Sequence, residues 1–124
     1  MIEYIEEKGW ETDFYMACLY NLARGYKAAP AVDRDAYARD KFPPEDPPRM
    51  CRTIRATPKP CLAFKIMAAN RNCSTPESVA AAFEFAFGHI KEIDAVVVGM
   101  FPKDRDQVSQ NAATVRRILG VPGV

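Results

Sequence analysis

The chain has one histidine, His89, and none of its four cysteines forms a CxxC pair. A structural zinc site draws its ligands in close pairs, so Cys18, Cys51, Cys61 and Cys73 are not expected to hold a metal. Cys18 and Cys61 sit inside apolar runs, where cysteine acts as a small buried hydrophobe, and all four read as free thiols in a reducing compartment. Net charge is also nearly missing. Seventeen basic and 16 acidic side chains leave +1, which gives no long-range field to gather phosphate backbones or anionic lipid. Nucleic-acid and membrane partners are therefore not expected. No window approaches the roughly 18 apolar residues of a spanning helix. The N-terminus, MIEYIEEKGW, has no basic region followed by an apolar stretch, so the expected location is cytoplasmic. Internal repeats and low-complexity tracts are absent as well.

What remains is 124 residues that are 48% hydrophobic, enough for one core and too few for two independent domains. Ile2 and Ile5 on one face, followed by Glu6, Glu7 and Lys8, read as the last turns of a helix stopped by Gly9, as though the chain began in mid-element. Asp13 to Tyr20 is a near-continuous apolar run, which predicts a strand covered on both faces. From Leu22 to Pro48 the pattern dissolves into charges and prolines. The expectation there is a long connection at about 23–48, with a short helix around Arg34 to Arg39. Pro48 can open a short helix that Pro58 and Pro60 end.

Cys61 to Met67 predicts a second buried strand, interrupted only by Lys65. Ser74-Thr75-Pro76-Glu77 supplies an N-cap hydroxyl, a proline for the first helical position and an acid that suits the helix dipole. A helix from Pro76 to about Ile90 follows, with Val79, Phe83, Phe87 and Ile90 on one face. Asp94 to Met100, β-branched and uncharged past its first residue, is the clearest strand. The last helix, opened near Asp104, is expected to pack through Val108, Ala112, Val115 and Leu119. Apolar strands alternating with helices predict right-handed βαβ units and a parallel sheet. Only three strands can be counted. Such a sheet has two open edges, so it should belong to a longer barrel or be completed by association of copies.

Several segments resemble the C-terminal part of the aldo/keto reductases. Asp94-Ala-Val-Val-Val-Gly99-Met100, leading through Phe-Pro-Lys103-Asp-Arg105-Asp to Gln107-Val-Ser-Gln-Asn111, resembles that family's last strand and the following helix with Gln-Val-x-x-Asn. Leu62-Ala-Phe-Lys65 resembles the preceding strand of the branch that reads Ile-Ala-Met-Lys-Pro-Leu. Ser78 to Ile90 stands where the family has an Ala-rich helix, and Asp13 to Tyr20-Asn21-Leu22 resembles a strand ending in Tyr-Asn. The match covers the chain except Ala23 to about Met50, and is firmest from Lys59 to Leu119.

The resemblance implies the last three strands and helices of a (β/α)8, or TIM-type, barrel, with sites where strands run into their helices. It implies an NADP-binding loop in which Gly99 and Met100 let the backbone approach the cofactor, Lys103 or Arg105 meets a phosphate, and Gln107 and Asn111 face the adenine. Tyr20 and Asn21, at a strand end, are substrate-side candidates. The departures are equally specific. The family's catalytic Asp, Tyr, Lys and His come from the first half of the barrel, which has no counterpart here, so no proton donor for carbonyl reduction is present. Phe14 to Leu19 has no glutamine for a nicotinamide amide, and Ala69-Asn70 stands where the branch has Gly-Gly.

The expected protein is thus a self-associating partial barrel without turnover of its own. Two alternatives come from other classes. Lys65, amid apolar neighbours on a barrel strand, has the setting of a Schiff-base nucleophile unless it reaches solvent or a carboxylate. The Pro-rich stretch from Pro43 to Pro48 would suit a small interaction module, though a linker is the simpler reading. His89, near the end of its helix, reads as structural.

Overall fold

The computed structural model describes residues 1–22 and 42–122. The expected helix at Arg34 to Arg39 and most of the expected connection lie outside them. Among the described residues there are four helices and three strands. The first helix, α1 (Ile2–Lys8), ends at Gly9 in the left-handed region, φ 65°. The Gly9 and Trp10 N–H groups there close onto the Glu6 and Ile5 carbonyls. That reversal needs a positive φ, which glycine adopts without penalty, and it turns the chain toward β1 (Tyr15–Cys18).

After the undescribed segment comes α2 (Asp46–Ala56), which begins two residues earlier than the Pro48 start read from the sequence. Pro47 and Pro48 lie in its first turn, where their missing N–H groups cost nothing. Asp46 and Pro47 are buried. The expected connection to residue 48 therefore gives way to helix from Asp46 onward. Then follow β2 (Cys61–Phe64), α3 (Pro76–His89), β3 (Ala95–Val97) and α4 (Gln107–Leu119). Thr75 and Ser78 form a reciprocal capping box at the start of α3, as the Ser-Thr-Pro-Glu sequence anticipates.

The sheet is parallel throughout and its order is β1-β2-β3. Tyr15 pairs with Cys61, and Leu62 with Ala95. On one face Tyr15, Ala17, Leu19, Cys61 and Ala63 meet Cys51 and Ile54 of α2 and Ala82, Phe83 and Ala86 of α3. The small side chains at the centre of this cluster let two helices approach the strands closely. Val115 and Ile118 of α4 pack at its margin. Consecutive strand order with crossovers of one hand sends every helix to the same side, and the burial follows that rule.

The other face is bare. Met16 is 54% exposed and Val97 43%, with Phe14 in line at 52%, and Leu62 and Phe64 between them only partly buried. The strands are therefore covered on one face, not on both as their apolar runs predict. The second face has the apolar chemistry that the sequence reading expects, and no described residue covers it.

The last helix is also turned. Its packed side carries Gln107, Asn111, Ala112, Thr114, Val115 and Ile118, while Val108 and Leu119 are about half exposed. Ala112 and Val115 of the expected stripe are packed and its two ends are not, so the packed face is turned part-way from it. Asp106, not Asp104, caps the helix, and α3 is the main neighbour it packs against. Among the described residues no strand lies beyond β3, and the ends of the stripe stay uncovered.

At the N-terminal ends of the strands, the Asp94 carboxylate accepts the Cys61 N–H at 2.8 Å and the Lys91 N–H at 2.7 Å. It also pairs with the Lys91 ammonium at 3.0 Å and is fully buried. The same ammonium donates to the Ile54 carbonyl near the end of α2. Nearby, the Tyr15 hydroxyl donates to the Glu6 carboxylate, and Lys59 reaches Glu6 at 3.6 Å.

Asp94→Ala strands two N–H groups and an ammonium in a dry site, and should cost on the order of 3 kcal/mol, read as a lower urea midpoint at unchanged slope. Glu77→Ala, at the solvated start of α3, should cost no more than about 0.5 kcal/mol. The Tyr15 hydroxyl and Lys59 hold the Glu6 carboxyl below its usual range. Its folded-state pKa is thus depressed, so its stabilisation is present above the ordinary carboxylate range and is lost as pH falls through it. Glu6→Gln should flatten the acid limb of the stability profile, and superimposable limbs would refute this.

Candidate functional site

The opposite ends of the strands carry the irregular backbone. Past β1, Leu19 is buried, Tyr20 half-buried and Asn21 exposed. The Asn21 N–H donates to the Asp46 carboxylate at 3.0 Å, and the Tyr20 ring meets Phe42 edge-on at 5.0 Å. Burial, then the neighbouring Asp46 and Cys18, push the Tyr20 hydroxyl up from its ordinary value, so it stays a protonated donor at neutral pH.

The end of β2 carries the non-glycine residues that adopt positive φ among the described residues. Lys65, Ala68, Ala69 and Asn70 have φ of 60°, 50°, 49° and 76°. Asparagine tolerates this region, whereas alanine and lysine enter it at a cost of about 1 kcal/mol or more. The turn is held by an Ala68 N–H to Lys65 carbonyl bond of 2.9 Å and an Asn72 N–H to Met67 carbonyl bond of 3.1 Å. The Arg71 guanidinium donates to the Ala68 and Ala69 carbonyls at 3.4 and 3.3 Å. Its face lies 4.2 Å from the Phe42 ring centre, so one side chain ties the β2 turn to the residues ahead of α2. The Cys73 thiol donates to the Asn70 side-chain oxygen at 2.9 Å.

Beside this turn, the ends of β2 and β3 enclose a cleft of about 380 Å³, with Lys65, Met67, Asn70 and Cys73 on one wall and Val97, Val98 and Gly99 on the other. A second, open hollow of about 1040 Å³ runs past Tyr20, Asn21 and Asp46 and also ends at Lys65. Of the residues singled out in the sequence, Lys65 and Gly99 therefore share one cleft, and Tyr20 and Asn21 share another with Lys65. Arg71, Asn70, Cys73 and Phe42 were not anticipated, because Ala-Ala does not announce a left-handed turn. Asn70 alone carried such a signal.

The loop into α4 is arranged differently from the expected cofactor site. A Cβ on Gly99 would meet nothing within 4 Å, so the fold itself does not demand glycine there. Met100 is 41% exposed, and Lys103 and Arg105 are exposed. The Gln107 side-chain oxygen accepts the Phe101 N–H at 2.9 Å, and Asn111 is half-buried in the helix packing. The N–H groups of the first three helical residues are already used. The Gln107 N–H goes to the Arg105 carbonyl and the Gln110 N–H to the Asp106 carbonyl. Asp106 takes the Ser109 N–H at 3.0 Å and that of Val108, and these bonds hold its carboxyl below the usual range. A carboxylate in that place adds a negative charge where a phosphate would sit.

Comparison with protein-family models, curated proteins and solved structures gives no match to this chain. Among the described residues no group of three or more His, Cys, Asp or Glu side chains is placed to hold a metal ion. All four cysteines are free, with Cys51 and Cys61 buried. No helix among the described residues is long and apolar enough to cross a membrane. His89 is exposed, its Nδ1 2.7 Å from the Phe85 carbonyl and its ring stacked on Phe85.

The strain in the β2 turn has a measurable sign. Ala69→Gly removes a left-handed alanine but frees the unfolded chain, and the net should lie between neutral and about 1 kcal/mol of stabilisation. Ala82→Gly, inside α3, should destabilise by about 1 kcal/mol or more. Equal losses at the two sites in thermal unfolding would mean that the turn is not strained.

Proposed function

We propose that this chain is a partial (β/α)8-type barrel of the aldo/keto reductase kind, made of three β/α units, with no carbonyl reduction of its own and completed by self-association. The observation that carries the reading is the one-sided sheet. Three parallel strands in consecutive order have their helices on one face and an apolar, uncovered opposite face. Doubly wound sheets reverse strand order and cover both faces, whereas a barrel keeps its helices outside and turns an apolar face inward. The β2 turn adds support: Ala69 and Asn70 hold φ values natural to glycine, at the two positions where the resemblance has Gly-Gly.

Within this reading the NADP loop is reduced to two exposed cations, Lys103 and Arg105, beside a helix start that its own Asp106 caps. Binding there would rest on screened surface charge alone.

Light scattering on a sizing column, over a range of concentrations with and without NADPH, tests both parts. The expected result is an assembly of two or more copies whose mass NADPH leaves unchanged, with no saturable change in NADPH fluorescence. A folded monomer at every concentration would overturn the self-association. A saturable NADPH signal lost in the Lys103→Ala/Arg105→Ala double variant would restore the cofactor loop.

A further inference from the structure

The described lysines fall into distinct settings. Lys8 lies on the surface 3.7 Å from Glu7, and Lys103 is exposed. Lys59 and Lys91 are largely covered and fully committed: Lys59 donates to the Trp10 carbonyl and the Thr12 hydroxyl, and Lys91 to the Ile54 carbonyl beside Asp94. Lys65 is half-buried like these two, yet among the described residues its ammonium has neither a hydrogen-bond nor an ion-pair partner. It sits at the end of the central strand with φ 60°, so the turn aims it at some energetic cost. It lines both hollows at that end of the sheet. A half-buried amine that no described residue neutralises, held on strained backbone at the mouth of a cleft, is the setting in which a lysine serves as a nucleophile.

We infer that Lys65 is a carbonyl-binding nucleophile, and that the cleft between the ends of β2 and β3 receives a small aldehyde or ketone. The cleft has ample room for a small carbonyl compound, its walls are apolar at Met67, Val97 and Val98, and the Asn70 amide at its rim offers one polar contact. The Lys65 Nζ lone pair adds to the carbonyl carbon, the C=O π pair moves to oxygen, and proton transfer from nitrogen gives a carbinolamine. Loss of that hydroxyl as water, with the second N–H proton leaving to solvent, gives the imine. No oxidant, reductant or metal is consumed. The inference does not depend on the barrel reading or on self-association, because every residue it uses belongs to one chain.

The test is reductive trapping of the intact protein with propionaldehyde and, separately, acetone, each with sodium cyanoborohydride, followed by intact mass and peptide mapping. One adduct is expected first, on the peptide holding Lys65, at least tenfold ahead of the peptides holding Lys8 and Lys103. Lys65→Arg, which keeps the charge but not the nucleophile, should abolish that fast adduct without changing the thermal midpoint appreciably. Val97→Trp, which fills the cleft from the other wall, should slow trapping at Lys65 while leaving the other lysines unaffected. Labelling spread in proportion to exposure, or led by Lys8 and Lys103, would overturn the inference. So would a Lys65 rate that Val97→Trp leaves untouched in a folded variant.

Discussion

One buried carboxylate holds the architecture together. Asp94 stands where the turn out of α3 enters β3, and it satisfies the first N–H of β2 as well as the Lys91 N–H of its own turn. The Lys91 ammonium neutralises it and reaches across to the end of α2. The junctions of two strands and two helices therefore meet on a single side chain. A buried ion pair is often little better than an apolar substitute, but here each oxygen also accepts a backbone N–H that has no strand partner there. With this end of the sheet fixed, the opposite end is free to carry strained turns and open clefts. The division of labour between a stabilising end and a permissive end is the one that parallel βα architecture favours.

How much of this the sequence contains depends on whether a signal is local. Thr75-Pro76-Glu77-Ser78 specifies a helix start within four residues, and the capping box forms as those residues require. The strand read over Asp94 to Met100, of which Ala95–Val97 forms, and the Gly9 stop were legible for the same reason: each follows from residue type and near neighbours. The orientation of α4 was not legible. Its stripe of Val108, Ala112, Val115 and Leu119 is a valid amphipathic pattern, but a pattern records which face prefers cover and not which face receives it. The same confusion applied to β1, where an apolar run was read as double-sided burial.

The candidate site divides along similar lines. Lys65 stood out as one charge in an apolar strand, and Gly99 as the end of another, and the fold brings them to one cleft. The turn that shapes this cleft was hidden, since two of its left-handed residues, Ala68 and Ala69, are alanines. Arg71, which stabilises that turn through two carbonyls and an aromatic ring, carries no motif at all. The loop into α4 shows the converse. Lys103, Arg105 and a helix start suggest an anion site, and one aspartate at the cap satisfies the groups that would have made it.

Helices flank both ends of the strand series, α1 before β1 and α4 after β3. In parallel βα architecture a single helix fills the groove outside each adjacent strand pair. A copy that extended the sheet beyond β3 by presenting its own β1 would bring its α1 into the groove that α4 already serves, and helix axes cannot approach within about 8 Å. Completion of a barrel by identical copies, edge to edge, therefore requires one of these two helices to give up that groove, while the backbone edges are complementary.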